Sequence, residues 1–305
     1  MNKNVILALS VISLFMLAGC QGGGDGGVSR TGFIGGTTAV VADFLTGSPP
    51  SEVYQNTPFE IILNVENKGE VKVLKSDMKI KLVGFDRADF STPDIEKSPT
   101  EDLEPAYIDA EGNLIPGTVT YVTFDKFSYN GLLPANNEYT VRAETCYKYG
   151  TKAQADVCVL QDLAKREGKV CDPVGTKAVS SSSAPVQIGN FQENIAGTDK
   201  VTFSFEIQHR GTGAISDDAA CSVDDIAHKN KVQVTVGGMS GISCTGIGAA
   251  AGVTGTTTLY DGKKLIRCTV DTSSATSDYT KKITVDLVYN YKENKQTTVL
   301  VKKAS

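Results

Sequence analysis

Tryptophan is absent from this 305-residue chain, histidine occurs only twice, and 30 lysines and arginines are outnumbered by 35 aspartates and glutamates. Each shortage excludes something. A formal charge of −5 lacks the basic footprint that nucleic-acid binding requires, so no nucleic-acid partner is expected. His209 and His228 have no cysteine or second histidine at ligand spacing, which leaves little material for a metal site or a His-driven catalytic set. No G-x-x-x-x-G-K-[ST] loop, no strand-linked G-x-G-x-x-G and no C-x-x-C pair occurs, so nucleotide-loop, zinc-ribbon and thioredoxin readings fall away. Gly238-Met239-Ser240-Gly241 misses the Gly-x-Ser-x-Gly spacing of a nucleophile elbow and reads as a turn. There is no N-x-[ST] sequon. No catalytic residue, metal ligand or cofactor is therefore expected. Helix signals are also scarce; the polar run 161–167 is among the few candidates, and it is short.

Long apolar runs are limited to one. Residues 5–18 form an apolar stretch behind Lys3, too short to span a bilayer and of the right length for a secretory h-region. It ends in Leu17-Ala18-Gly19-Cys20, small residues followed by a cysteine. This order of charged start, apolar run and box resembles the processing signal of prokaryotic lipoproteins. The resemblance implies a signal peptide over 1–19 and a lipid, with acyl chains such as palmitate, on Cys20 as the first mature residue. Two or more acyl chains hold a protein stably on a membrane, at about 0.8 kcal/mol per buried methylene. The partner so implied is membrane lipid, and the location is the extracytoplasmic face of the cell membrane. Residues 20–36 are rich in glycine without apolar periodicity, as expected of a flexible tether.

Six cysteines follow Cys20: Cys146, Cys158, Cys171, Cys221, Cys244 and Cys268. An even number in an exported chain points to disulfides. Fifteen pairings are possible and the sequence does not choose among them. Local geometry leans towards Cys146 with Cys158 across a hairpin turn centred on Lys152, Cys244 with Cys268 on neighbouring strands, and Cys171 with Cys221 joining two halves.

Alternation with period two is widespread. Phe59/Ile61/Leu63/Val65, Met78/Ile80/Leu82, Val201/Phe203/Phe205/Ile207, Val232/Val234/Val236 and Ile283/Val285/Leu287/Tyr289/Tyr291 each place apolar side chains on one face of a strand. Turn signals fall between them at Asn67-Lys68-Gly69, Asn130-Gly131, Asp261-Gly262 and Lys292-Glu293-Asn294. Many short strands so spaced predict an all-β fold of antiparallel sandwiches. The run Ser180-Ser181-Ser182-Ser183-Ala184-Pro185 reads as a linker at 181–185, dividing the chain into sandwiches over 37–180 and 186–305.

The stretch 131–143, GLLPANNEYTVRA, resembles the entry to strand F of fibronectin type III-like domains. The likeness implies two tandem Ig-like β-sandwiches and makes Tyr139 a tyrosine corner, its hydroxyl bonding back to upstream backbone. Cys146-Tyr147-Lys148-Tyr149-Gly150-Thr151 with Val157-Cys158 is similar to segments of uncharacterised archaeal surface proteins with Ig-like modules.

Two acidic loops stand out: Asp217, Asp218, Asp224 and Asp225 around Cys221, and Asp86, Asp89, Asp94 and Glu96. Oxygen-rich loops can bind Ca²⁺, but neither has the D-x-D-x-D-G-x₅-E order, and both read as solvated loops. Lys292, Lys295, Lys302 and Lys303 read as charges shielding an edge strand. The expected protein is a non-enzymatic, lipid-anchored surface module that is structural, adhesive or binding. Its partner, a protein or another surface, is not named by the sequence. Two alternatives stand beside it. One is an assembly subunit in which residues 38–45 (TAVVADFL) add a strand to a neighbouring copy. The other is an extracytoplasmic enzyme or enzyme accessory.

Overall fold

The computed structural model describes residues 32–91, 94–165 and 168–303. The expected signal peptide over 1–19, Cys20 and most of the Gly-rich segment lie outside the described residues. Residues 32–305 form one compact unit by their contacts.

The chain opens with β1 (Val40–Phe44), β2 (Glu52–Tyr54) and β3 (Phe59–Asn67); a 3₁₀ turn, Lys75–Asp77, then leads into β4 (Met78–Val83). Short strands β5 (Phe90–Ser91), β6 (Glu96–Lys97), β7 (Tyr107–Ile108) and β8 (Leu114–Ile115) precede β9 (Val119–Tyr129) and the 23-residue β10 (Asn137–Val159). Then come β11 (Gly175–Thr176), β12 (Val179–Ser181), β13 (Val186–Ile195), β14 (Lys200–His209) and β15 (Ala214–Ser216). β16 (Lys231–Gly237), β17 (Ile242–Thr245), β18 (Thr254–Thr258), β19 (Lys263–Asp271) and the 24-residue β20 (Tyr279–Lys302) complete the order. The all-β class expected from the alternation is present, and the five alternating runs lie in β3, β4, β14, β16 and β20 with their apolar members buried.

The strands form a four-stranded sheet β1-β3-β9-β5, a five-stranded sheet β11-β13-β14-β19-β17, a small β7-β8 hairpin and a nine-stranded sheet. The spine of the nine-stranded sheet is one antiparallel ladder between β10 and β20, in register from Asn137↔Val301 to Val159↔Tyr279. Every odd residue of β10 from 141 to 159 is buried. A turn near Lys152 would break that phase, so the expected hairpin is absent and β10 runs straight through. The expected turn at Lys292-Glu293-Asn294 is likewise interior to β20. No helix is found at the described residues of 161–167.

The N-terminal half of the spine faces the four-stranded sheet, where Phe90 of β5 lies edge-on to Tyr139 at 5.2 Å between ring centroids. The C-terminal half faces the five-stranded sheet, where Thr151 Oγ1 donates to Val186 O at 2.5 Å and Cys158 N–H donates to Glu193. One continuous core runs beneath both. The chain therefore does not part at 181–185 as expected. Ser182, Ser183 and Ala184 are buried, and the Ser182 and Lys152 main chains and side chain interlock at 2.8 and 3.0 Å. Small polar residues mimic a linker in the sequence, but here they are chosen because they fit between sheets and still satisfy backbone groups.

Residues 38–45 hold β1, paired with β3 of the same chain from Val40↔Asn67 to Phe44↔Leu63, so this strand is already used at home. The expected tyrosine corner also differs. Tyr129, not Tyr139, reaches a main-chain carbonyl, that of Leu132 at 3.4 Å. Hydrogen bonding with Tyr139, and burial after it, push the Tyr129 phenol up to about 12.

Candidate functional site

The three disulfides are Cys146–Cys221, Cys158–Cys171 and Cys244–Cys268. All six candidate cysteines are paired, and the Cys244–Cys268 pairing is as expected, the two residues lying opposite each other on β17 and β19. The other two pairings correct the sequence expectation. With β10 straight, Cys146 and Cys158 lie far apart along one strand. Cys146 instead clamps the acidic loop onto the spine's outer face, and Cys158 closes a loop of its own with Cys171.

At the centre of the spine four tyrosines, Tyr147, Tyr149, Tyr289 and Tyr291, sit in opposed pairs and are all buried. Their rings meet edge to face, with centroids 5.8–6.5 Å apart. A buried phenol needs a partner for its polar tip, and each of the four finds one. Tyr147 lies 3.5 Å from Val40 O and 3.4 Å from Glu293 Oε2. Tyr149 donates to Ser183 O at 3.3 Å and accepts from Val71 N–H. Thr151 spends its proton on Val186 O, so Tyr289 donates to Thr151 at 3.2 Å while accepting from Val186 N–H. Tyr291 accepts from Gly213 N–H at 2.8 Å and meets His209 Nε2 at 3.2 Å. Desolvation pushes all four phenols well above their ordinary value, so they remain protonated. A Cβ on Gly69 would stand 1.9 Å from the Tyr149 hydroxyl, which explains glycine there.

Glu70 completes the joint. Its carboxylate accepts from the N–H groups of Ile34 (2.9 Å), Gly35 (3.1 Å) and Ser183 (2.5 Å). The end of the Gly-rich segment is thus fixed to the body from residue 34 onward, rather than free to 36.

Several clefts adjoin the joint. One of about 230 Å³ is lined by Val40, Thr145, Arg210, Tyr291, Glu293 and Lys295. A second of about 490 Å³ has Arg142, Glu144, Asp224, Lys292 and Asn294 in its walls. A third, of about 680 Å³, lies on the other side of the clamped loop, between Lys79, Lys148, Asp217 and Gln233. Burial pushes the Glu293 carboxyl up. A second inward carboxylate, Glu193, is fully buried, accepts twice from Cys158 N–H and pairs with Lys177 at 3.0 Å; burial pushes it up as well.

The acidic loops hold themselves. Asp218 accepts from Ser222 N–H at 2.9 Å and from its hydroxyl at 2.6 Å, and Asp217 pairs with His228 at 2.8 Å. That contact raises the His228 pKa, whereas burial lowers that of His209. Asp225 accepts from Ala227 N–H, Asp86 from Ala88 N–H, and Glu96 pairs with Lys79. Among the described residues no three His, Cys, Asp or Glu side chains converge as metal ligands. The shielding lysines are committed too: Lys292 to Glu144 at 2.9 Å, Lys295 to Asp43 at 2.9 Å, and Lys302 to Glu52. Sequence reasoning missed the tyrosine joint and Glu70. Two tyrosines separated by two positions in each of two strand candidates were the visible signal.

No family model and no curated protein matches the chain. Among solved structures it is similar to the secreted serine protease VesC from Vibrio cholerae, with 9% identity over 79% of this chain and 48% of that one and a TM-score of 0.19. It is also similar to E. coli alpha-2-macroglobulin (12% identity, 87% and 17% covered, TM-score 0.15) and to collagen adhesin from S. aureus (10%, 87% and 92%, 0.11). The chain spans about half the length of the first. At such TM-scores these likenesses carry no argument about what the chain does.

Proposed function

We propose that this protein is a non-enzymatic binding module held on the extracytoplasmic face of the cell membrane by lipid on Cys20. The observation that carries the reading is the pairing of all six cysteines downstream of Cys20, which an oxidising compartment favours and a reducing cytosol opposes. The lipobox-like Leu17-Ala18-Gly19-Cys20 agrees with export. The body is pinned from Ile34, fourteen residues beyond Cys20. The spine turns both halves into one platform, and binding falls to the clefts and strand edges around it. The buried acids and both histidines serve contacts within the fold, which favours binding over catalysis.

Detergent phase separation of the full chain tests the reading. The wild type is expected in the detergent phase and the Cys20→Ala variant in the aqueous phase, with external protease digesting the wild type on intact cells. A wild type recovered in the cytosol with reduced thiols would overturn it.

A further inference from the structure

The side of β20 that faces away from β10 is not covered along its whole length. β16 pairs with residues 284–288, β15 with 290–292, and β2, running parallel, with 300–302. Among the described residues no strand pairs with this side over 293–299. The hydrogen bonds at the far end show which groups look out. Leu300 N–H donates to Ser51 O and Lys302 O accepts from Gln55 N–H, both at 2.9 Å. Even-numbered residues of β20 therefore aim their N–H and C=O groups to this side, and those of Asn294, Gln296 and Thr298 meet no strand. All three residues are exposed.

Two of the clefts adjoin this same stretch and share Thr212, Glu293 and Lys295; the smaller reaches it from the side of Val40 and Tyr291, the larger from the side of Arg142 and Glu144. Glu293 and Lys295, with Val40 and Tyr291, line the smaller cleft of about 230 Å³. Lys292 and Asn294, with Arg142 and Glu144, line the larger cleft of about 490 Å³. A row of unmet backbone groups, stopped by β15 at one end and β2 at the other, with two hollows adjoining it, is the space one strand would fill.

We propose that this notch binds an extended peptide segment of a partner protein as an added strand. The proposal rests on the reading of the protein as a binding module, but not on its lipid. The smaller cleft takes small side chains from alternate residues of the peptide, and the larger cleft, walled by Arg142, Glu144 and Lys292, takes long polar ones between them. A single free segment fits, whereas the edge of a whole sheet does not. β15 and β2 occupy the same edge at 290–292 and 300–302, which confines an added strand to the seven residues between them.

The test is selection on the full chain in detergent solution with a phage-displayed library of random linear peptides of about nine residues, long enough to cross the gap at roughly 3.3 Å per residue. The expected result is enrichment of sequences alternating small and polar residues. Bound peptide would then protect the amides of Asn294, Gln296 and Thr298 from hydrogen exchange. N-methylation of the peptide amides that face β20 is expected to weaken binding about tenfold or more, while methylation of the amides facing away leaves it unchanged. Because the protein itself is unaltered, folding does not enter the comparison. No enrichment, or protection elsewhere on the body, would overturn the notch; protection elsewhere would leave the binding-module reading standing. Self-association of the chain through residues 293–299, seen as concentration-dependent protection of those amides without peptide, would also overturn it.

Discussion

Replacing Cys146 and Cys221 together by alanine is expected to cost about 4 kcal/mol of stability. The bond spans 75 residues, and the Cys158–Cys171 bond inside it already shortens the free loop by 13, to about 62. Chain-entropy reasoning then gives about 4.3 kcal/mol at 25 °C. The same reasoning gives about 3.4 kcal/mol for Cys244–Cys268, which spans 24 residues, and about 2.9 kcal/mol for Cys158–Cys171. Urea unfolding of the three double-alanine variants, with the wild type alongside, measures the order. For a body of this size about 2–4 °C of melting temperature accompanies each kcal/mol, so the Cys146/Cys221 variant should melt roughly 9–17 °C lower. A midpoint equal to that of the wild type, or a larger loss from removing Cys158–Cys171, would mean that loop closure does not set the stability these bonds supply.

Gly69→Ala would push a methyl to 1.9 Å from the Tyr149 hydroxyl, and a loss of about 1–3 kcal/mol in denaturant unfolding is expected; an unchanged midpoint would contradict the packing described. Tyr289→Phe leaves the Val186 N–H without its partner and should cost about 1–3 kcal/mol, with faster hydrogen exchange at Val186 but not at distant strand amides. Glu193→Gln tests a pH dependence. Burial raises the folded pKa of Glu193 above the ordinary 4.5, so the folded state holds the proton more tightly than the unfolded chain. The wild type therefore loses stability as pH rises from 4.5 through the folded value, and the glutamine variant lacks that loss. Unfolding midpoints from pH 4 to 7 should show the wild type falling relative to the variant; a flat or rising difference would count against the burial.

Much of the fold was legible because alternation is a local property. The phase of Phe59 to Val65 or Val201 to Ile207 survives in the buried faces of β3 and β14. The spine was harder to read. In β10 the odd positions from Val141 to Val159 keep an unbroken small or apolar phase, a signal outweighed by the turn-like look of Gly150 and Lys152. In β20 the phase is masked at Glu293, Lys295 and Thr297, where ion pairs and an open edge replace core packing. Both misread disulfides follow from the missing turn, since pairing Cys146 with Cys158 required a reversal at Lys152. The linker at 181–185 failed for a different reason. Serines buried by hydrogen bonds to Thr38 O, Lys152 N–H and Glu70 look the same in sequence as serines in water. The tyrosine joint depends on contacts between residues more than a hundred positions apart, such as Tyr147 with Val40 O, which no local pattern encodes.

Attachment by lipid and export can be read from the intact mass of the non-reduced protein taken from native membranes. The expected species begins at Cys20, heavier by its lipid and lighter by the six hydrogens lost to three disulfides. A mass matching the full 305-residue chain without lipid and with all thiols reduced would contradict both lipid attachment and export.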